Sequence, residues 1–128
     1  MQTARGAEAY YQTHIQSRSP LELVVMLYDG AIRFLTQTQE AMERGDLVAK
    51  RHAMSRSMAI LAELQGMLDL EQGGEVAASL DSLYTYMIER LSVANAERDP
   101  KPIAEVVRLL GGLRDAWSQI AQAPQPAA

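Results

Sequence analysis

Apolar positions recur along this chain at steps of three and four residues, the helical period, and no segment alternates polar and apolar residues as a half-buried strand would. From Pro20 to Arg44 one seam is formed by Val24, Tyr28, Ala31, Leu35, Thr38 and Met42, and Leu23, Leu27 and Phe34 broaden it. Ser19 is placed to cap this helix, Pro20 suits its first position, Glu22 completes a capping box, and Gly45 supplies a left-handed C-terminal cap. Leu23 to Tyr28 is an unbroken run of apolar or amphipathic residues that covers the whole helix circumference, where an ordinary surface helix carries one stripe. Such a helix must be enclosed, either by the rest of the domain or by a partner chain.

Asp46 reads as the cap of a further helix with Leu47, Met54, Met58, Leu61, Leu64 and Leu68 on its inner face. The link at Gly45 is so short that these two helices must be antiparallel neighbours. After Gly73-Gly74, Val76, Leu80, Leu83, Met87, Leu91 and Ala94 form the next seam. Asp99-Pro100 ends it and starts the last helix, which is marked by Ile103, Val106, Leu110, Leu113, Trp117 and Ile120. Residues 4–16 carry a shorter helical pattern through Ala7, Tyr10, Tyr11, His14 and Ile15. The fold class is therefore all-α: an antiparallel four-helix bundle with an additional short N-terminal helix or segment. Its expected organisation is an N-terminal segment at 1–18, the bundle at 19–121, and a disordered Pro/Ala/Gln-rich tail at 122–128.

Length changes this picture little, since 128 residues suit one domain with one core. Charge and composition exclude more. Net charge is -4 with no run of basic residues, which lacks the electrostatic footprint of a nucleic-acid partner. Cysteine is absent, so disulfides and thiolate chemistry are out, and the chain fits a reducing compartment. No signal-peptide pattern is present and no apolar run approaches the roughly 20 residues that span a bilayer, so the expectation is a soluble chain without membrane insertion.

No catalytic, cofactor-binding or metal-binding residues are expected. Di-metal bundles need Glu-x-x-His pairs, and neither His14 nor His52 has Glu three residues before it. Asp69, Glu71, Glu75 and Asp81 border the Gly73-Gly74 turn, where charges solvate a loop. Gly73-Gly74 and Gly111-Gly112 lack the spacing of a phosphate-binding loop, and no serine sits in a nucleophile elbow. Met54, Met58 and Met87 lie on inner seams and read as core. Tyr84 and Tyr86 cannot both face inward, so one of them presents its ring at the rim, an arrangement that suits recognition. Gly30 reads as a point of close helix approach, and Asp29 as a partner for Arg90 or Arg114 across the bundle.

Three segments in series resemble the flagellar secretion chaperone family, FliS. The first is Ala9-Tyr10 followed by Ser19-Pro20-x-x-Leu23-Val24-x-Met26-Leu27-Tyr28-Asp29-Gly30-Ala31-Ile32-x-Phe34-Leu35. The second runs from Leu70-Glu71-x-Gly73-Gly74-Glu75-Val76 through Leu80, Leu83-Tyr84-x-Tyr86-Met87 and Arg90-Leu91 to Ala94-Asn95, and the third is Leu113-Arg114-Asp115-Ala116-Trp117. The resemblance covers about residues 7–120; an uncommon Pro-x-Pro at 100–102, the Pro-rich tail and Gly111-Gly112 depart from it. If helical, those two glycines cost about 1 kcal/mol each relative to Ala.

The resemblance implies an all-helical, cytoplasmic export chaperone that binds the disordered C-terminal region of flagellin, prevents premature polymerisation and delivers it to the flagellar type III export apparatus. Export apparatus components or flagellar regulators are further partners on this reading. The binding groove would have Leu23, Leu27, Tyr28 and Ala31 on one wall and Leu80, Leu83, Tyr84 and Met87 on the other. In the family the N-terminal segment can lie over a client groove, and here Tyr10 and Ile15 would belong to that removable cover. The alternative is a helical adaptor or regulatory bundle that binds another amphipathic helix.

Overall fold

The computed structural model describes residues 19–123 as four helices: α1 (Pro20–Arg44), α2 (Leu47–Gly66), α3 (Gly74–Glu97) and α4 (Lys101–Gln122). The expected segment 1–18, with Tyr10 and Ile15, lies outside the described residues, as does the tail beyond Ala123. Helix α4 continues through Gln122 and runs unbroken across Gly111 and Gly112. Helices α1 and α3 each pack against both α2 and α4, which places the four in a ring with consecutive members antiparallel. Helices α1 and α3 are then diagonal across the core.

Local chemistry sets each boundary. The Ser19 hydroxyl accepts from the Glu22 N–H at 3.2 Å, satisfying one of the orphan donors at the start of α1. Gly45, at φ 73°, closes that helix, and Asp46 Oδ1 caps the next by accepting from the Ala49 N–H at 3.0 Å. Asp69 Oδ1 accepts from the Glu71 and Gln72 N–H groups at 3.1 and 3.0 Å, shaping the turn into α3. At the last turn Asp99 Oδ1 accepts from the Lys101 N–H at 3.0 Å, and Pro100 and Pro102 sit where α4 needs no backbone donor.

The core is built from Leu27, Tyr28, Ala31 and Leu35 of α1, Met54, Leu61 and Leu64 of α2, Tyr84, Met87, Leu91 and Ala94 of α3, and Ile103, Val106 and Leu110 of α4. Small buried residues, Gly30 and Ala41 on α1 and Ala53 and Ser57 on α2, let those two backbones approach closely. The buried Thr38 and Ser57 hydroxyls are satisfied within their own helices, Thr38 donating to the Phe34 carbonyl and Ser57 to the Met54 carbonyl, both at 2.8 Å. Leu47, Val76 and Ile120, assigned to inner seams by their spacing, are instead exposed. Leu47 and Val76 lie in first turns and Ile120 in a last turn, so no neighbouring helix extends far enough to cover them.

Two glycine substitutions test this packing with opposite signs. A Cβ on Gly73 would meet Ala77 Cβ at 2.6 Å and the Asp69 carbonyl at 2.7 Å, whereas one on Gly111 would meet nothing within 4 Å. Gly111→Ala should therefore raise the urea midpoint by the equivalent of about 0.5–1 kcal/mol, with an unchanged slope. Gly73→Ala should lower it, because backbone as well as side chain must shift to admit the methyl group.

Candidate functional site

The eight residues expected to line a groove divide in two. Leu27, Tyr28, Ala31, Tyr84 and Met87 are closed into the core, whereas Leu23, Leu80 and Leu83 are only half-buried. Leu80 and Leu83 meet Val76 and Leu113 in an open, largely apolar trough of about 470 Å³ along the α3–α4 side, flanked by Glu75 and Ser79. Val76 is 69% exposed, and Ile120, in the last turn of α4, is also exposed at this end of the bundle. A second depression, of about 410 Å³, lies between the start of α1 and the end of α4, where Val25 and Met26 face Asp29, Arg114 and Ser118. The lower half of α4 is thus flanked by an apolar furrow on one side and a more polar one on the other.

Beneath the trough lies a chain of hydrogen-bonded aromatics. The Tyr28 and Tyr84 hydroxyls are 2.5 Å apart, with ring centroids 6.5 Å apart, and Trp117 Nε1 donates to the Tyr28 oxygen at 3.3 Å. Burial pushes the Tyr28 hydroxyl's pKa above the usual phenol value, against the opposing effect of the bonds from Tyr84 and Trp117. The Tyr84 hydroxyl is pushed well above that value, first by burial and then by its bond to Tyr28. Both stay neutral at physiological pH, so they act as a polar link and not as acid–base groups. Of the neighbouring pair, Tyr84 is the inward member and Tyr86, 41% exposed, is the rim member.

Polar clamps fix the helices around this centre. The Glu105 carboxylate on α4 accepts from the Tyr86 hydroxyl at 2.5 Å and from Arg90 Nε at 2.8 Å, both on α3. Those two bonds, Tyr86 first, hold its pKa below the usual carboxylate value. Gln65 Nε2 at the end of α2 donates to Asp81 Oδ1 and Thr85 Oγ1 at 2.9 and 2.8 Å. Asp29 pairs with Arg114 at 2.8 Å, tying α1 to α4, while Arg90 is taken by Glu105. Among the described residues no three His, Asp or Glu side chains converge to hold a metal ion, and no helix is long and apolar enough to cross a membrane.

The trough residues Val76, Leu80, Leu83 and Leu113 all fall within segments of the chain that match known proteins. The family model described as Flagellar protein FliS matches residues 2–124. This chain belongs to the FliS family. It is 43% identical over 125 residues to the flagellar secretion chaperone FliS of Salmonella typhimurium, covering 94% of this chain and 93% of the relative. The protein of the same name from Campylobacter jejuni is 38% identical over 120 residues, 94% of each chain. That of Bacillus subtilis is 34% identical over 114 residues, 89% of this chain and 84% of the relative.

Of the wall residues that the resemblance implies, Leu80 and Leu83 line this trough, together with Val76 and Leu113, which were not among them. Both fall on inner seams by their spacing; Val76 lies in the first turn of α3, where cover runs out, and Leu113 is half-buried along the second half of α4.

Two measurements probe the site's framework. Tyr84→Phe removes a buried hydroxyl and leaves Tyr28 with one partner fewer, so it should destabilise the fold by about 1–2 kcal/mol in urea unfolding. The Glu105 clamp should be pH-dependent. With its folded pKa below the ordinary carboxylate value of about 4.3, its contribution is complete above that pH and is lost as pH falls through the folded value. The difference in Tm between the parent and Glu105→Gln should therefore narrow from pH 6 to pH 3.

Proposed function

We propose that this chain is a cytoplasmic flagellar export chaperone that binds the disordered C-terminal region of flagellin, keeps it from polymerising early and delivers it to the type III export apparatus. The relatives' name, flagellar secretion chaperone, supports an export role and gives no support to an enzymatic one. The observation that carries the reading at the level of residues is the furrow of Val76, Leu80, Leu83 and Leu113, an apolar strip left open beside a filled core.

A disordered client laid along that strip buries apolar surface on both partners and gives up about 2–5 kcal/mol or more in ordering. That cost keeps the complex releasable, as a delivery chaperone requires. Leu80 and Leu83 serve as contact residues, Leu23 lies on the first turn of α1 at the same end, and the five core residues shape the strip from beneath. Tyr10 and Ile15 belong to the proposed cover over this surface.

Val76 is the discriminating position because its side chain is exposed, whereas Leu27 is core and an aspartate there would unfold the bundle. Val76→Asp should leave far-ultraviolet helicity and Tm near the parent values. It should weaken binding of a flagellin C-terminal segment by about tenfold or more, which is about 1.4 kcal/mol. Unchanged affinity would remove the furrow from the client site. Equal binding of an unrelated amphipathic helix would point instead to a general helical adaptor. Deletion of residues 1–16 should leave the bundle folded and client binding intact, and loss of the fold would rule out a removable cover.

A further inference from the structure

Helix α4 changes character at Gly111-Gly112. The residues that it buries, Pro102, Ile103, Val106 and Leu110, all precede the pair, and none of residues 113–122 joins them. Neither glycine is there for space or for backbone conformation. A Cβ on either would meet nothing within 4 Å, and neither has a positive φ, whereas Gly73 is hemmed in by Ala77 and Gly45 takes a φ of 73°. Two successive glycines without a packing duty leave a point at which a helix bends more readily than where side chains stiffen it.

The segment beyond the pair is held lightly. Leu113 and Trp117 pack against the margin of the core. Its polar ties to α1 are the Arg114–Asp29 pair, whose side chains are 35% and 48% exposed, and the bond from Trp117 Nε1 to the Tyr28 hydroxyl at 3.3 Å. Water competes for the first, and the second is longer than an ordinary N–H···O bond. Tyr28 and Tyr84 satisfy one another, so the withdrawal of Trp117 orphans no buried hydroxyl. Open furrows flank the segment on both sides: Leu113 borders Leu80 and Leu83 toward α3, and Ser118 and Ala121 border Val25 and Met26 toward α1.

We propose that residues 113–122 form a lid that swings on Gly111-Gly112. Moved outward, the lid joins the two furrows into one groove above the Tyr28–Tyr84 contact, because those tyrosines belong to the α1 and α3 walls that the end of α4 separates. The client segment then enters a groove continuous from Leu80 and Leu83 to Val25 and Met26, a step that rests on the export-chaperone reading above. Apparent affinity in such a system scales with the fraction of molecules whose lid is open, so stiffening the hinge weakens binding without altering any contact residue.

Trp117 is the one tryptophan of the chain and sits in the lid, so fluorotryptophan labelling of the full chain gives a single fluorine NMR signal that reports lid position. Relaxation dispersion of the client-free protein should show exchange on the μs–ms scale of hinge motions. Gly111→Ala combined with Gly112→Ala should lower the open population by about tenfold. Asp29→Asn, which weakens the tie to Arg114, should raise it. In low urea the open population should stay flat, because the swing exposes little surface, whereas an unfolded population climbs steeply. Binding of a flagellin C-terminal segment should weaken in the double alanine variant by the factor that the open population falls. Absence of exchange in the parent, an unchanged population in the double alanine variant, or a population that climbs with urea as unfolding does would overturn the lid. Suppressed exchange with undiminished client affinity would overturn its part in client entry. Failure of the parent to bind the segment at all would strike the export-chaperone reading instead, while the fluorine result still decides the lid.

Discussion

The hydroxyl contact between Tyr28 and Tyr84 sets the geometry on which the rest of the bundle depends. These residues belong to α1 and α3, the diagonal pair of the ring. A diagonal is longer than a side, and two tyrosines meeting tip to tip span it where two leucines would leave a void. Both rings are buried, at 0% and 2% exposure, so each polar tip needs a partner inside the core. They supply one another, and Trp117 from α4 adds a donor to the Tyr28 oxygen. The result is a satisfied polar point within an otherwise apolar core, and it ties three of the four helices to one register.

Holding α3 out on a long diagonal has a consequence at the surface. Helices α1 and α2 lie close together through Gly30, Ala31, Ala41, Ala53 and Ser57, whereas α3 buries Tyr84, Met87 and Leu91 between Ala77 and Ala94 near its ends. The larger side chains lie in its middle turns, where Tyr84 reaches across to Tyr28. Along the α3–α4 side the gap is laced toward the α3–α4 turn by Tyr86 and Arg90 on Glu105, and it stays open toward the other end, where Leu80, Leu83 and Leu113 are only half-covered. The furrow is thus a product of how the core is filled. It sits within a turn of Tyr84, so the residue that props α3 outward also floors the exposed strip.

Much of this could be read from the chain. Helix starts and stops were legible because they depend on local chemistry: Ser19, Gly45, Asp46 and Asp99 each act within three residues of where they stand. The central core was legible for the same reason that a helical period is, since Leu35, Leu61, Leu91 and Leu110 lie mid-helix, where a seam must face a neighbour. Periodicity could not tell Val76 from Met87, although both lie on one seam, because exposure at a helix end depends on where the other three helices stop. Nor could it tell Tyr28 as groove from Tyr28 as core, since the partner that buries it lies 56 residues away. The pairing of Asp29 with Arg114, and not with Arg90, rested likewise on a competition, which Glu105 decides by claiming Arg90 from the neighbouring helix.

Seen from its sides, the bundle carries two surfaces that obey different physics. The α3–α4 furrow offers apolar area, whose attraction is undirected and is not screened by salt, and such a surface suits a client held for its want of structure more than for its detailed sequence. The α1–α2 face presents exposed polar side chains instead, with the Arg33 and Arg56 guanidinium groups beside the Phe34 ring. Because they occupy opposite sides of the ring, a long apolar segment on one leaves the other uncovered. A ligand that presses α3 inward or outward from the furrow would strain the tyrosine contact, since Tyr84 is tied to Tyr28 across the core.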